Sequence, residues 1–578
     1  MTADRAVALG EAPADLLLRG GRIFRPEARE FVRADLAVAG GRVAAQFEDG
    51  TPVESTDEQT TVLDVDGRHV VPGFIDAHTH VDTYQTVETA YHHLLAGGTT
   101  GLVAEVSGFQ AAFGAEGIEA VLAATADLPL AVRVVVSPIP LVETFEPRHP
   151  TDVARLCDLL ARPRVCGVGE VPWIHLLADD GGMGLLERSR REGKPVSAHG
   201  AGCRGQKLQA LAAMVDNDHE AVTAADFLDR LAAGIHPVAR SGSIRDDVPA
   251  FAEAYQRRPE AIAAECSLCT DGMWPGAILA DGYVNEVVRR VIEAGVDPVD
   301  ALGMATLNPA RRFGFDRRGT LAPGSVADAV VLEDLESVAV GTVVAAGEVV
   351  VRDGEPLVGP RSHDYPDRFA GPVDVAVPDD LCEIPVSAAS DGSVRAIEHR
   401  GGLLTAETTV APAVIDGSLA PDPAGDVLEV VHVDRHPAGD GEAFAGFLTG
   451  FGLDRGAAAT TITWDTPSIV GVGADRADLR AAVERLTEVG GGWTVIEDGD
   501  VVTEFATPLG ARCSARSLAD SAARMRELRT ALADRGTSAD RPLLAIQTLT
   551  FAGVPALKLS RSGYADIDAR EVVGLSPG

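Results

Sequence analysis

Lysine is almost missing from this chain. It occurs at Lys194, Lys207 and Lys558 among 578 residues, so arginine carries nearly all the positive charge. Positive charge of any kind is scarce: 50 Lys and Arg face 86 Asp and Glu, a formal net charge of −36. Repulsion from phosphate therefore disfavours nucleic acid as a partner. The acid excess is the composition expected of a protein adapted to concentrated salt, where surface self-repulsion is screened. Long apolar runs are missing too. No window approaches the ~18 residues of a membrane helix, so no membrane span is expected. The start, Met1-Thr2-Ala3-Asp4-Arg5, lacks a basic segment followed by an apolar one, and secretion is not expected. Cysteine is sparse as well. Seven, an odd number spread over the chain, point to a reducing cytoplasm rather than a disulfide framework. Cys266 and Cys269 form a lone Cys-x-x-Cys and read as small residues of a buried strand.

What is present is organised around Pro72-Gly73-Phe74-Ile75-Asp76-Ala77-His78-Thr79-His80. The apolar run reads as a buried strand ending in His-x-His. Alternate residues of a strand share a face, so His78 and His80 point the same way and can grip one divalent metal. Residues 69–317 alternate strand and helix patterns, with strands expected to end at His80, near Glu105 and Ser137, at Glu170, His199 and His219, near Arg240 and at Asp271. Helices are expected at 116–127, 151–160, 222–233 and 281–294. Eight such units in this span have the size of a (β/α)8 barrel, which builds its site at the C-terminal ends of its strands. Short strands in 1–68 and 318–354 read as two parts of one small β-sandwich flanking the barrel. Residues 355–372 form a Pro- and Gly-rich connector. A mixed α/β domain follows at 373–578, with a helix at 476–489, a stop at Gly490 and a hairpin turned at Asp498-Gly499.

Four imidazoles (His78, His80, His199, His219) and two carboxylates (Glu170, Asp271) fall at these strand ends. Taken singly, each has a bland alternative: a packed histidine, a helix-start acid or an N-cap. Taken together they suit two borderline divalent ions, Zn²⁺, Mn²⁺ or Fe²⁺, with no thiolate required. Glu170 can bridge a metal pair because it offers two oxygens. Asp271 can take the proton of an activated water and hand it to a leaving nitrogen. The reaction class is metal-assisted hydrolysis. His92, His93, His149, His175 and His236 do not fit the pattern.

At this point the chain resembles the amidohydrolase superfamily and, within it, the adenine deaminase family. Besides Pro72–His80, the likeness runs through Gly97-Gly98-Thr99-Thr100, Gly167-Val168-Gly169-Glu170-Val171, Asp218-His219-Glu220, Ala305-Thr306-Leu307-Asn308-Pro309-Ala310 and Arg318–Gly324. Gly450-Phe451-Gly452-Leu453, Glu488–Gly492 and Pro555–Ser560 extend it into the third domain and separate this family from other amidohydrolases. The resemblance implies hydrolysis of adenine, or a related aminopurine, to hypoxanthine and ammonia. It also implies a dinuclear centre (Mn²⁺ or Fe²⁺ favoured, Zn²⁺ possible) and a cytoplasmic homo-oligomer, a dimer. The chain departs from the family pattern at Val81-Asp82-Thr83-Tyr84, Glu105-Val106-Ser107-Gly108, Gly272-Met273-Trp274-Pro275 and Trp464-Asp465-Thr466-Pro467. Those changes leave the metal-type residues in place and alter the polar surroundings, as altered substrate recognition requires. Asp82, Trp173, Glu220, Trp274 and Asp465 are the candidates for substrate contact. Another heterocycle or a cyclic amide is the alternative substrate, and a non-catalytic purine-binding homologue is the alternative of a different class.

Overall fold

Eight runs rich in Val, Ala and Leu build the parallel sheet at the centre of the molecule. Counting these strands alone, they are β1 (Phe74–Thr79), β2 (Thr99–Glu105), β3 (Ala131–Val136), β4 (Val165–Pro172), β5 (Val196–His199), β6 (Asn217–Asp218), β7 (His236–Arg240) and β8 (Ser267–Cys269). The computed structural model describes residues 3–139, 151–178, 182–389, 391–436, 441–464, 466–554 and 556–577. Each strand pairs with the next in sequence, from β1 to β8. The sheet closes on itself where Asp271 N donates to His78 O at 3.0 Å and His80 N donates to Asp271 O at 2.6 Å. This is the expected (β/α)8 barrel. Helices cover it, among them Ala115–Ala124, Val153–Leu159, Ala224–Ala232 and Val284–Glu293. The helix at Ala224 starts where it does because Thr223 and Asp226 form a reciprocal capping box.

The strands bury both faces. Leu102, Val132, Val134, Val168, Val196 and Leu268 pack outward against the helices. Ile75, Ala77, Val103, Val135, Val238 and Cys269 form a separate cluster inside, closed by Phe313 and Phe315. Cys266 and Cys269 are both fully buried free thiols; Cys269 ends β8, whereas Cys266 caps the preceding helix just before the strand.

Strands on either side of the barrel in sequence share one nine-stranded sheet. Its joint is the antiparallel pairing of His69–Pro72 with Ala329–Asp334, with Val71 opposite Val330. The third domain is built on an eight-stranded sheet covered by Arg476–Val489 and Leu518–Ala533. Gly490 ends the first of these helices at φ 82°, and Asp498 (φ 53°) with Gly499 (φ 79°) turns the hairpin between Gly492–Glu497 and Asp500–Ala506. No helix among the described residues is long and apolar enough to cross a membrane.

The third domain is seated on the barrel mouth. Cys513–Ser514 pairs in parallel with Tyr84–Gln85, just after the His-x-His strand. Arg512 donates to Thr83 Oγ1 at 3.2 Å, Gln85 to Ser521 Oγ, and Arg541 to the carbonyls of Ser243 and Ile244.

Candidate active site and metal centre

Six of the residues singled out in the sequence gather at the C-terminal end of the barrel. Glu170 is the hub. Its Oε1 lies 3.4 Å from His80 Nε2, and its Oε2 lies 3.1 Å from His219 Nε2 and 3.8 Å from His78 Nε2. Asp271 Oδ1 sits 3.5 Å from His78 Nε2 and 3.7 Å from His80 Nε2. The rings of His78 and His219 stack at 4.0 Å. Two groups of ligand atoms, His78 with His80 and Asp271, and His78 with Glu170 and His219, each fall within 4.8 Å of one another. His199 stands at the edge, its ring 5.8 Å from that of His219 and its Nε2 3.4 Å from Glu220 Oε1. Asp271 adopts φ 61°, a left-handed backbone rare outside glycine. The barrel seam pins it there through both of its backbone bonds.

The donor set fits a divalent cation. His78 Nε2 and His219 Nε2 are buried without a hydrogen-bond partner, yet each lies within 4 Å of carboxylate oxygen. A buried polar atom left in that condition is costly unless something outside the chain satisfies it.

Burial opposes charge on every group here, and partners decide who carries it. Burial, then the charge on His219, pushes His78 down to about 4. For His80 burial is outweighed by Glu170, then Asp271, which bring the ring up to about 9. Glu170 resists burial through His219 and His80, which hold it well below the usual carboxylate range. Asp271 resists it chiefly through Arg240, whose Nη1 lies 2.7 Å from Asp271 Oδ2. The same guanidinium reaches Glu220 Oε1 at 2.5 Å, and against burial this pair brings Glu220 down to about 2. Glu105 goes the other way. Burial and the charge on Glu170 push it up to about 8, while its Oε2 accepts from Glu170 N at 2.9 Å. Gly169 makes that contact possible, since a Cβ there would lie 2.1 Å from Glu105 Oε2.

Above the cluster lies a cavity lined by both the barrel and the third domain. His80 and Glu170 line its floor. Trp274, Met273 and Ile244 from the barrel face Trp464, Phe551, Gln547 and Arg512 from the third domain. The rings of Trp464 and Phe551 meet edge to face at 5.1 Å, and Phe551 reaches to 5.4 Å from His199. The third domain is thus the roof of the site.

Comparison with known proteins places this geometry. Residues 69–350 match the amidohydrolase family model, and residues 402–571 match the adenine deaminase C-terminal domain. A protein named adenine deaminase from Nitratidesulfovibrio vulgaris is 33% identical over 571 residues, covering 97% of this chain and 96% of that protein. Another of that name, from Cereibacter sphaeroides, is 32% identical over 575 residues, covering 98% of each. The chain belongs to the adenine deaminase family. A solved structure of β-aspartyl dipeptidase from Fervidobacterium islandicum AW-1 is 18% identical with a TM-score of 0.47, covering 61% of this chain and 98% of that one.

In this family member the remaining sequence candidates scatter. Trp274 lines the cavity. Trp173 is not among the lining residues; its indole N–H donates to Ala201 O at 2.8 Å and Lys207 lies over its ring at 5.0 Å. Asp82 is 2% exposed, with neither oxygen hydrogen-bonded and its carboxyl held up by burial against the pull of Arg512. Glu220 is committed to Arg240 and, at 3.0 Å, to Arg245. Asp465 lies outside the described residues. Sequence reasoning passed over Arg240, Glu105, Arg512, Gln547 and Phe551. For Arg240 and Glu105 a signal existed, since both sit at strand ends; neither is a metal-type residue with a histidine beside it.

Proposed function

We propose that the protein hydrolyses adenine to hypoxanthine and ammonia, using two divalent ions (Mn²⁺ or Fe²⁺ before Zn²⁺) held by His78, His80, Glu170, His199, His219 and Asp271. The observation that carries this reading is the convergence of three imidazoles and two carboxylates, with His199 at their edge, beneath an aromatic-walled cavity. Divalent ions in such a donor set supply the charge that acidifies water and polarises the ring under attack. The chain's own groups do the rest. Asp271, kept ionised by Arg240, takes the proton of the attacking water and passes it to the exocyclic nitrogen, which leaves as ammonia. Glu170 orients the imidazoles around it through both of its oxygens. Trp274, Trp464 and Phe551 offer flat apolar faces to a planar base and exclude water. Gln547, whose amide Nε2 is buried without a partner, offers a hydrogen bond at the ring edge. Relatives named adenine deaminase along nearly the whole chain support adenine as the base. The test is conversion of adenine by Mn²⁺-loaded protein, followed by the absorbance change to hypoxanthine alongside the metal content per chain. Hypoxanthine formation that chelation stops and Mn²⁺ restores is expected. Fully metal-loaded protein that leaves adenine unchanged overturns the reading.

A further inference from the structure

A second, smaller cavity adjoins the first and shares Ser107 and Arg512 with it. Two arginines, Arg435 and Arg512, line it together with Ser107, Ser137 and Thr466. In a chain with 86 acids for 50 bases, a buried guanidinium ought to find a carboxylate. Others do: Arg230 meets Asp218 at 2.6 Å, and Arg240 meets Asp271 at 2.7 Å. Among the described residues, Arg435 and Arg512 do not. Their bonds go to neutral acceptors, Thr461 O at 3.4 Å for Arg435, and Thr463 O at 2.8 Å and Thr83 Oγ1 at 3.2 Å for Arg512. The Nε atoms of both are buried with no partner, and Arg512 is 7% exposed. Asp434, the neighbour of Arg435 in the chain, lies 3.7 Å from Arg561. Burial first, then the like charge of Arg512, holds Arg435 below the usual guanidinium range against the pull of Asp434. Gly108 belongs to the same arrangement, because a Cβ there would lie 2.0 Å from Arg512 Cδ.

A buried guanidinium without a close ion-pair partner is unfavourable, and two of them at one cavity form a fork matched to an oxyanion. We propose that this second cavity binds an oxyanion group, gripped by Arg435 and Arg512 with the hydroxyls of Ser107 and Thr466. The group arrives as a free ion, or as the acidic end of a purine whose base occupies the adjoining cavity through the shared Ser107 and Arg512. The site itself does not depend on the deaminase reading; the second source does.

The probe is inorganic phosphate, titrated calorimetrically into full-length, metal-loaded protein. Saturable binding is expected, weakened at least tenfold by Arg435→Gln, a position outside the metal-bearing cavity. Thr466→Asp supplies a carboxylate from the chain itself; it should abolish phosphate binding and raise the unfolding midpoint, so the proposal stays testable if Arg435→Gln does not fold. Adenosine 5′-monophosphate that displaces phosphate and binds at least tenfold tighter identifies a purine-borne group. Phosphate and adenine bound together without competition identify a free ion. Phosphate binding that is absent from the wild type, or unchanged in both variants, overturns the proposal.

Discussion

Replacing Arg240 with glutamine takes one guanidinium away from three buried carboxylates: Glu220 at 2.5 Å, Asp271 at 2.7 Å and Asp247 at 3.1 Å. Arg245 still reaches Glu220 at 3.0 Å and Asp247 at 2.7 Å, so the loss falls hardest on Asp271. A hydrogen bond to a charged group is worth about 1.5–3 kcal/mol. At about 1.4 kcal/mol per tenfold, that is roughly a ten- to hundredfold shift toward protonated Asp271. Since Asp271 must be ionised to accept a proton, the acid limb of kcat/KM for adenine should move to higher pH by about one to two units. Stability follows the same logic. Glu220 and Asp271 are held below their unfolded values, so their contribution is present above roughly pH 4 and is lost as pH falls toward the folded values. The variant should therefore be destabilised most at neutral pH, by about 3–5 kcal/mol for a broken buried pair, and least in acid. Arg240→Lys, which keeps the charge but not the fork, should recover part of both effects. The assays are a pH–rate profile and denaturant unfolding at two pH values. A folded Arg240→Gln protein whose acid limb superimposes on the wild type refutes the reasoning.

Arg230 is 0% exposed and ties Asp218 to Gly200 O, bracing the ends of β5 and β6 that carry His199 and His219. Arg230→Met should cost about 3–5 kcal/mol, and Asp218→Asn in the same chain should restore much of it, as a double-mutant cycle in denaturant would show. Phe551→Ala removes one wall of the base cavity and should raise KM for adenine several-fold with a smaller change in kcat, about 0.5–1.5 kcal/mol of ring contact being lost. The net charge of −36 predicts an unfolding midpoint that rises with added KCl; a midpoint that stays flat counts against a salt-adapted surface.

Much of the site was legible because metal-type side chains and strand punctuation coincide. β5 ends at His199, and His80, His219 and Asp271 follow within two residues of the ends of β1, β6 and β8. Glu170 is a milder case: β4 runs on to Pro172, and the carboxylate projects from inside the strand. Trp173, the next residue, starts a helix instead of facing substrate, and its N–H is consumed by Ala201. Arg240 escaped notice because an arginine at a strand end looks like any solvated arginine until three acids from different elements surround it. The roof was illegible for a related reason. Phe551, Gln547 and Arg512 lie more than 230 residues beyond the last barrel strand, and no periodicity reports which face of one domain meets another.

The most direct test compares wild type with Asp271→Asn, both loaded with Mn²⁺ and assayed for ammonia released from adenine in high KCl, with bound metal quantified for each. The account predicts one ammonia per hypoxanthine from the wild type and a loss of at least about 10²-fold in Asp271→Asn. Ammonia release by Asp271→Asn at the wild-type rate, or none from a fully metal-loaded wild type, contradicts it.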